Sequence, residues 1–509
     1  MKTTLPLLSI ILAFGITHRA PAAQPPNVLF IAIDDQNDWI GSFGGHAQAK
    51  TPNLDRLAQR GVVFADAHCA APLCNPSRSA VFSGRQPFET GVYSNGGKSI
   101  REVLGDEAML PRHFKQAGYR TFGTGKLLHT SNKGLYDEEY FPHQRWSPFT
   151  SDQVDYTAYE LPSKGTNNPR HVTTLKGREV VLPLNRMPSD RTPDENGGDS
   201  FDWGPLDVED DDMGDGKVAN WAAEALRAKQ DQPIFVAVGF YRPHIPLFAP
   251  RKYFELYEGM NIKLPETKPD DLDDLAPYAK ALALEGTTAG EHASVLKYKQ
   301  WKKAVKAYLA CTSFVDAQIG RLLEALHSGP NAGNTIIVVW GDHGWHLGEK
   351  QHWGKWTGWQ RSTQVPLIIT PAHDDKTFAG SRGARCSSVV SLLDLYPTLI
   401  DLCALPPYDG LSGRSIVPLL KNPTQSTDRS VLTTFGVGNY SVTGGQWHYI
   451  RYEDGSEELY DRTADPHEWT NLAAHPNYVA QKTTMATYLP KVSVMPATKK
   501  SKKSKNDDQ

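Results

Sequence analysis

The segment Cys74-Asn75-Pro76-Ser77-Arg78 places a thiol, a rigid proline, a hydroxyl and a fixed cation within five residues, just ahead of a run that can start a helix. The first turn of a helix offers unpaired N–H groups and a partial positive charge, so an oxyanion bound there is stabilised. Arg78 adds a planar set of donors that is always protonated. The segment therefore predicts an anion site. The residues alone leave open whether it holds a nucleophile for a sulfate or phosphate or is only a buried turn.

Charged side chains also follow four segments that are predicted to be strands. They are Asp34 and Asp35, Lys126 and His129, His244, and Asp342 and His343. Because parallel strands present their carboxyl ends along one edge of a sheet, we expect these groups to converge. Carboxylates gathered at one point repel one another without a cation, and oxygen ligands favour Ca²⁺ or Mg²⁺ over zinc. The strand ends therefore predict a site of the calcium type, whereas Asp34 and Asp35 taken alone are more simply explained by a turn or a helix cap.

The elements that must position these groups alternate between strands and helices. Apolar runs without alternation predict buried strands at 27–33, 233–239 and 335–340, with a short strand at 119–123. Apolar residues spaced three and four apart predict helices at 51–61, 110–117, 217–229, 304–327 and 394–405. This alternation is typical of a three-layer α/β domain. After residue 429, shorter strand-like pieces at 430–434 and 447–452 predict a small antiparallel subdomain.

The length of 509 residues predicts two domains, because single cores rarely grow beyond about 250–300 residues. We expect a signal peptide at 1–23, a catalytic domain at 24–428 with a surface insertion at about 145–215, a C-terminal subdomain at 429–490 and a disordered lysine-rich tail at 491–509. The apolar run at 5–16 is too short to span a bilayer. It predicts export to the periplasm or the extracellular space, or to the lysosome in a eukaryote, without stable membrane insertion.

Net charge and cysteine count narrow the function further. A formal net charge of −3 provides no broad basic surface, so nucleic acid is not an expected partner. Five cysteines are an odd number for an exported protein, and Cys74 is the one we expect to be free or chemically converted. The pairing of the other four stays open; they are Cys69, Cys311, Cys386 and Cys403.

Three motifs together resemble those of the type I sulfatases over residues 27–472. They are Cys74 to Arg78 with Ser83-Gly84-Arg85, the Gly125-Lys126-x-x-His129 element, and Asp342-His343-Gly344. The segment 242–246 and His343 are similar to the iduronate-2-sulfatase branch of that family, while the insertion and the loop 36–39 depart from it. The resemblance implies an alkaline-phosphatase-like three-layer sandwich with a large mixed, mostly parallel sheet. It also implies a smaller C-terminal α+β subdomain with an antiparallel sheet.

The same resemblance implies hydrolysis of sulfate esters and a role for each site residue. Cys74 would be converted to Cα-formylglycine by a formylglycine-generating or an anaerobic sulfatase-maturating enzyme. One Ca²⁺ is implied, with ligands from Asp34, Asp35, Cys74, Asp342 and His343. Arg78, Lys126 and Lys355 are implied to stabilise the sulfate, His244 to protonate the leaving alcohol and His129 to act as the base that releases sulfate.

The implied substrate is an O-sulfated polysaccharide or oligosaccharide, with a 2-O-sulfated uronate as one candidate. Trp39, Trp356, Trp359 and Arg361 are candidates for sugar contacts, although aromatic residues near loops more often pack in a core. Two alternatives remain open. One is a phosphodiesterase or phosphonate monoester hydrolase of the same superfamily, and the other is a catalytically inactive protein that binds carbohydrate.

Overall fold

The computed structural model describes residues 25–154, 171–188, 200–286 and 290–498. In chain order the strands are β1 Asn27–Ile33, β2 Val62–His68, β3 Arg120–Gly125, β4 Glu138–Tyr140, β5 His171–Leu175, β6 Arg178–Leu182, β7 Trp203–Leu206, β8 Ile234–Phe240, β9 Leu247–Pro250, β10 Thr335–Gly341, β11 His346–Leu347, β12 Trp353–Gly354, β13 Gln364–Thr370, β14 Ala384–Cys386, β15 Val390–Ser391, β16 Ser430–Thr434, β17 Tyr440–Gly444, β18 Trp447–Arg451 and β19 Glu457–Asp461. The α-helices are α1 Pro52–Ala58, α2 Cys74–Ser83, α3 Pro87–Thr90, α4 Ile100–Leu104, α5 Leu110–Gln116, α6 Ser151–Val154, α7 Gly214–Arg227, α8 Arg251–Glu255, α9 Pro277–Leu284, α10 His292–Lys297, α11 Trp301–Ser328, α12 Gln360–Thr363, α13 Leu395–Cys403, α14 Val417–Lys421 and α15 Val479–Ala486.

The largest sheet has the strand order β14-β2-β13-β10-β1-β8-β3-β4, and β15 also pairs with β2. Strand β1 runs parallel to β10 and β8, and β3 runs parallel to β8 and β4. Strand β13 is antiparallel to both of its neighbours, β10 and β2. The sheet is therefore mixed and mostly parallel, which confirms the expected fold, although β2 and β13 are absent from the sequence prediction.

The two faces of β1 pack against different helices. Leu29 and Ile31 lie in a core with apolar residues of α1, α7 and α11. Val28 and Phe30, on the other face, lie in a core with residues of α2, α5 and α13. All seven residues of β1 are buried, which explains why its sequence is apolar without alternation. The domain is therefore a three-layer sandwich.

The carboxyl ends of four central strands are level with one another. Ile33 at the end of β1 pairs with Gly341 of β10 and with Phe240 of β8. Gly125 at the end of β3 pairs with Gly239 of β8. The segments that carry the predicted acidic, basic and imidazole groups thus leave the sheet along one edge.

The chain after residue 429 forms a four-stranded antiparallel sheet in the order β16-β17-β18-β19. Val442, Tyr449 and Leu459 from its strands are buried in one cluster with Met485 of α15. The predicted antiparallel subdomain is therefore confirmed.

The segment 145–215 is only partly a surface feature. Trp146, Phe149 and Trp203 are buried in a core that also contains Tyr308 of α11. The sequence suggested a surface segment because these large apolar residues are widely and irregularly spaced. Residues 155–170 and 189–199 of the segment lie outside the described residues.

Part of the predicted disordered tail is paired with the main domain. The backbone N–H groups of Val494 and Ala497 donate to Phe88 and Gly91 at 2.8 and 2.9 Å. Backbone pairing of this kind leaves no pattern in the side chains, so the prediction was wrong for residues 491–498. Residues 499–509 and the predicted signal peptide at 1–23 lie outside the described residues. In the part of the chain that is described, no helix has both the length and the apolar character needed to cross a membrane.

Candidate active site

Helix α2 begins at Cys74, and all ten of its residues are buried. The hydroxyl of Ser77 donates to the backbone oxygen of Asp342 at 2.5 Å, which fixes the start of the helix against the end of β10. Gly84 ends the helix in a left-handed conformation with φ of 69°. The predicted anion site is therefore a buried helix N-terminus that faces the strand ends.

Three basic side chains surround the sulfur of Cys74. Lys355 Nζ lies at 3.0 Å, His343 Nε2 at 3.4 Å and Lys126 Nζ at 3.6 Å from this atom. Burial raises the pKa of the Cys74 thiol, but the charges of Lys126, Lys355 and His343 outweigh it and hold that pKa well below its ordinary value. Position 74 therefore stabilises negative charge on whatever group it carries.

Four of the five predicted metal ligands form one cluster. Ligand atoms of Asp34, Asp35, Cys74 and His343 all lie within 4.8 Å of one another. Asp35 has a φ of 58°, a left-handed conformation that aspartate tolerates better than most residues. Its Oδ2 atom is buried and has no hydrogen-bond partner among the described residues. This donor set suits a hard divalent cation.

The fifth predicted ligand, Asp342, supports the cluster through hydrogen bonds. Its Oδ1 accepts from the backbone N–H groups of Asp35 and His343, both at 3.0 Å. Its Oδ2 accepts from Arg78 Nε at 2.7 Å. Asp342 thereby fixes the backbone of two ligands while lying at the side of the cluster.

The two adjacent carboxyl groups at the end of β1 have different electrostatic environments. Burial and then the charge at Cys74 raise the pKa of Asp34, but Lys126 and Arg78 outweigh them and hold it below its usual range. Burial, with the neighbouring charge of Asp34, raises the pKa of Asp35 to about 7 even though Lys355 opposes the shift. A cation beside Asp35 would offset this cost of ionisation.

Arg78 binds protein groups with most of its donors. Its Nε reaches Asp342, and its Nη2 donates to Asp34 Oδ1 at 3.2 Å. Its Nη1 donates to the carbonyl oxygens of Lys126 and Leu127. Four N–H groups are thus used, so Arg78 organises the acidic residues, and the contact with sulfate that the resemblance implied stays a prediction.

His244 and His129 border the same cleft as the two lysines. His244 Nε2 lies 3.9 Å from Asp35 Oδ2, and its Nδ1 lies 2.6 Å from the backbone oxygen of Ile245. Burial, assisted by the charges of Lys355 and Lys126, lowers the pKa of His244 to about 3. The side chain of His129 forms a hydrogen bond with the side chain of Cys74.

The cleft above Cys74 has a volume of about 1040 Å³. Lys126, His129, His244 and Lys355 line it, so the predicted catalytic groups open onto one space. The sequence prediction missed Asn95, His143, Arg145 and Tyr241, which also line the cleft. Tyr241 stands three residues before His244, and its ring lies 4.8 Å from Lys126 Nζ, so its closeness to a predicted residue was the available signal.

The four candidates for sugar contacts do not line this cleft. Trp39 is buried against Tyr308, and Trp359 is buried with its Nε1 donating to Glu458 at 2.8 Å. Arg361 forms ion pairs with Asp38 and Glu349. For Trp39 and Trp359 the packing role is confirmed.

Most of the chain matches models of known protein families. A family model described as Sulfatase matches residues 26–404, and one described as N-sulphoglucosamine sulphohydrolase, C-terminal, matches residues 348–494. A sulfatase of Formosa agariphila is 37% identical over 478 residues, which cover 92% of this chain and 87% of that protein. Human iduronate 2-sulfatase is 30% identical over 431 residues, which cover 78% of this chain and 73% of that protein.

Two solved structures show the same fold at lower identity. One, a protein in complex with its substrate D-glucosamine-2-N,6-O-disulfate, has a TM-score of 0.66 at 19% identity and covers 91% of this chain and 96% of its own. The other, a phosphonate monoester hydrolase of Agrobacterium radiobacter, has a TM-score of 0.67 at 21% identity and covers 91% of this chain and 94% of its own.

Proposed function

The chain belongs to the sulfatase family and is therefore a sulfuric ester hydrolase, and we propose that it removes O-sulfate groups from a sulfated oligosaccharide or polysaccharide. The observation that carries the proposal is the pair of basic groups, Lys126 and Lys355, whose ammonium nitrogens lie within 3.6 Å of the Cys74 sulfur. Such a pair attracts an anionic ester and stabilises charge that develops during its cleavage. The name of the human relative keeps a 2-O-sulfated uronate among the candidate substrates.

We propose that Cys74 is converted to Cα-formylglycine by a maturation enzyme, and that the hydrate of this aldehyde supplies the nucleophilic hydroxyl. The match of the segment 74–78 to the family motif supports this conversion. The charges of Lys126 and Lys355, which lower the pKa of a thiol at this position, also favour an ionised hydroxyl there.

A divalent cation, with Ca²⁺ as the proposed ion, fits the acidic cluster. Asp34, Asp35, His343 and residue 74 would hold it, with Asp342 as the further predicted ligand at the side of the cluster. The buried and unpartnered Oδ2 of Asp35 supports this assignment. Such an ion supplies positive charge and Lewis-acid polarisation to a bound ester.

Among the remaining residues, we assign charge stabilisation to the lysines and proton transfer to the histidines. Lys126 and Lys355 hold the sulfate oxygens, and Arg78 keeps Asp34 and Asp342 in place for them. His244 uses Nδ1 to donate to the backbone oxygen of Ile245, so Nε2 is the atom that would pass a proton to the leaving alcohol. His129, whose side chain hydrogen-bonds residue 74, is proposed to remove the proton that allows release of sulfate.

Peptide mass spectrometry combined with turnover tests this function. In active protein we expect the peptide that contains residue 74 to carry the aldehyde or its hydrate, and we expect Cys74→Ala and Cys74→Ser to lose sulfate release. Active protein with an unmodified Cys74 would contradict the conversion. A panel of position-defined glycosaminoglycan and algal oligosaccharides would identify the sugar.

Turnover of matched sulfate and phosphonate or phosphate esters distinguishes a sulfatase from the main alternative, a phosphodiesterase or phosphonate monoester hydrolase. The fold shared with a phosphonate monoester hydrolase is the observation that keeps this alternative, whereas the relatives with higher identity are sulfatases. Faster turnover of the phosphorus esters would favour it. Persistent sugar binding without any release would favour the inactive carbohydrate-binding protein.

The composition of residues 1–23 supports a further proposal, export of the protein to the periplasm, the extracellular space or the lysosome. Amino-terminal sequencing of protein recovered outside the cytoplasm would test it, with a start near residue 24 as the expected result.

A further inference from the structure

A second cavity of about 800 Å³ shares no lining residue with the active-site cleft. The parallel strands β7 and β9 connect the two spaces. Ser200 and Ile245, which precede these strands, line the cleft, whereas Pro205 and Arg251 at their far ends line the second cavity. Six residues of extended chain span about 20 Å, so Ile245 and Arg251 lie at most roughly that far apart. One oligosaccharide of several residues is long enough to reach from one space toward the other.

The border of the second cavity carries more cations than carboxylates. They are Arg186, Arg251, Lys303 and Lys306 against Glu255 and Glu258. Arg251 is paired with Asp207, but the ammonium groups of Lys303 and Lys306 form no ion pair or hydrogen bond with any residue in the described ranges. These two lysines stand three residues apart on α11 and therefore lie on one side of the helix. The cavity thus offers two uncommitted positive charges in a protein whose net charge is −3.

Gln300 also lines this cavity, and the residue is only 8% exposed. Its Oε1 accepts from the indole N–H of Trp203 at 3.3 Å. Because an indole N–H can only donate, this contact fixes which end of the amide is the oxygen. The Nε2 donors have no partner in the part of the chain that the structure describes. An amide that lines a cavity with unused donors suits a ligand that has acceptor oxygens.

Aromatic rings complete the lining. Trp203, Phe254 and Tyr298 all border the cavity. Trp203 stacks on Trp353, with ring centres 6.2 Å apart and planes at 19°, so its orientation is fixed. Trp203 and Phe254 are almost fully buried, whereas Tyr298 is only partly buried and offers its ring to the cavity. An aromatic ring beside lysines and an amide suits a ligand with apolar C–H faces, hydroxyl acceptors and negative charge, which is the chemistry of a sulfated sugar.

We propose that this cavity is a second, non-catalytic binding site for a sulfated sugar unit of the polymeric substrate. Its ligand class rests on the proposed function, but its occupancy does not depend on sulfate release. The site would hold part of a polymer while another unit occupies the catalytic cleft, and it would not contribute to turnover of a small aryl sulfate.

Binding stoichiometry in the Cys74→Ala protein tests the proposal, with a sulfated dextran oligosaccharide as the probe and the same oligosaccharide without sulfate as the uncharged control. We expect two sites per chain for the sulfated probe. Adding Lys303→Glu and Lys306→Glu should leave one site, or weaken the second by at least about tenfold at low salt, because two attractive charges become repulsive. Gln300→Glu, which keeps the acceptor for Trp203 and loses the donors, should have the same direction of effect.

The matched control is Lys299→Glu with Lys302→Glu, which changes the net charge equally at nearby lysines that do not line the cavity. It should keep both sites. A second site that persists in the Lys303→Glu, Lys306→Glu protein, or one that the control also loses, would overturn the proposal. Failure of the otherwise unaltered, matured protein to release sulfate would instead count against the proposed function, while the binding counts would still decide the second site.

Discussion

The ammonium group of Lys355 lies 3.0 Å from the sulfur of Cys74, although 281 positions separate the two residues in sequence. The same nitrogen donates to Asp35 Oδ1 at 2.6 Å, so one cation links the nucleophile position to the acidic cluster. Burial lowers the pKa of Lys355, but the charges of Asp35 and Cys74 outweigh it and raise that pKa above its ordinary value. Lys355 is therefore a permanent positive charge at the reacting position.

Replacing Lys355 by methionine removes this charge while keeping a side chain of similar length. We expect Lys355→Met to lower kcat for an aryl sulfate by at least about 10²-fold, because charge on the sulfate loses a preorganised partner. Steady-state kinetics would measure the loss, and a thermal melt would show whether the variant is folded. The exposed Lys302→Met is the control and should leave kcat unchanged. A folded Lys355→Met protein with normal kcat would remove Lys355 from the mechanism.

Removal of divalent metal should abolish activity and lower the melting temperature. Without a cation, the carboxylates of Asp34 and Asp35 compete for the same basic groups, and ionisation of Asp35 is costly in its buried position. Ca²⁺ or Mg²⁺ added after dialysis against a chelator should restore both properties, and the comparison identifies the preferred ion. Asp35→Asn should make the melting temperature insensitive to added metal. Full activity in protein shown by elemental analysis to lack metal would contradict the assignment.

The sequence was most informative where acidic, basic or imidazole side chains directly follow a predicted strand. Asp34 and His343 could be placed together because buried apolar runs end just before the segments that carry them, and the register of β1 with β10 brings those ends level. The role of Arg78 could not be predicted, because two of its acceptors are the carbonyl oxygens of Lys126 and Leu127. Backbone acceptors leave no trace in residue type.

The same limit explains which elements of the confirmed fold the sequence missed. Strand β13 was not predicted, and its antiparallel pairing with β10 depends on how the chain returns to the sheet rather than on the composition of the strand. Trp203 lies in a segment without period, yet it is buried in a core against α11 residues. Periodicity therefore identified the regular layers of the sandwich and missed the irregular chain packed beside them.

Asp66 provides a test of how the C-terminal subdomain is attached to the sheet. It accepts hydrogen bonds from His68 at 2.9 Å and from Arg462 at 2.5 Å. Burial raises the pKa of Asp66, but His68 and Arg462 outweigh it and hold that pKa below its usual range. A depressed carboxyl pKa stabilises the fold above the unfolded value near 4, and this contribution is lost as the pH falls further.

We therefore expect Asp66→Asn to lower the free energy of unfolding by about 2 kcal/mol at pH 7. The difference from the unaltered protein should shrink as the pH falls below about 4, because the unfolded chain then binds a proton at Asp66 that the folded protein, with its depressed pKa, does not yet bind. Urea unfolding at both pH values would measure it. Asp106→Asn, which breaks the more exposed pair with Arg101, should cost no more than about 1 kcal/mol. Equal effects at the two sites would show that Asp66 does not secure the interface.

The role of His244 as the proton donor predicts a dependence on the leaving group. Burial and the charges of Lys355 and Lys126 lower the pKa of His244 to about 3, and a bound sulfate ester between those lysines would offset their effect. We expect His244→Asn to lower kcat/KM for an alkyl sulfate by about 10²-fold or more, because an alkoxide must be protonated as it leaves. For 4-nitrophenyl sulfate the loss should stay below about tenfold, since a nitrophenolate leaves without a proton. His129→Asn is the comparison: because it is assigned to a step after the alcohol has left, it should lower kcat for both esters and leave kcat/KM for each largely unchanged. Equal losses for the two esters in His244→Asn would assign His244 to positioning and leave the proton donor to another group in the cleft.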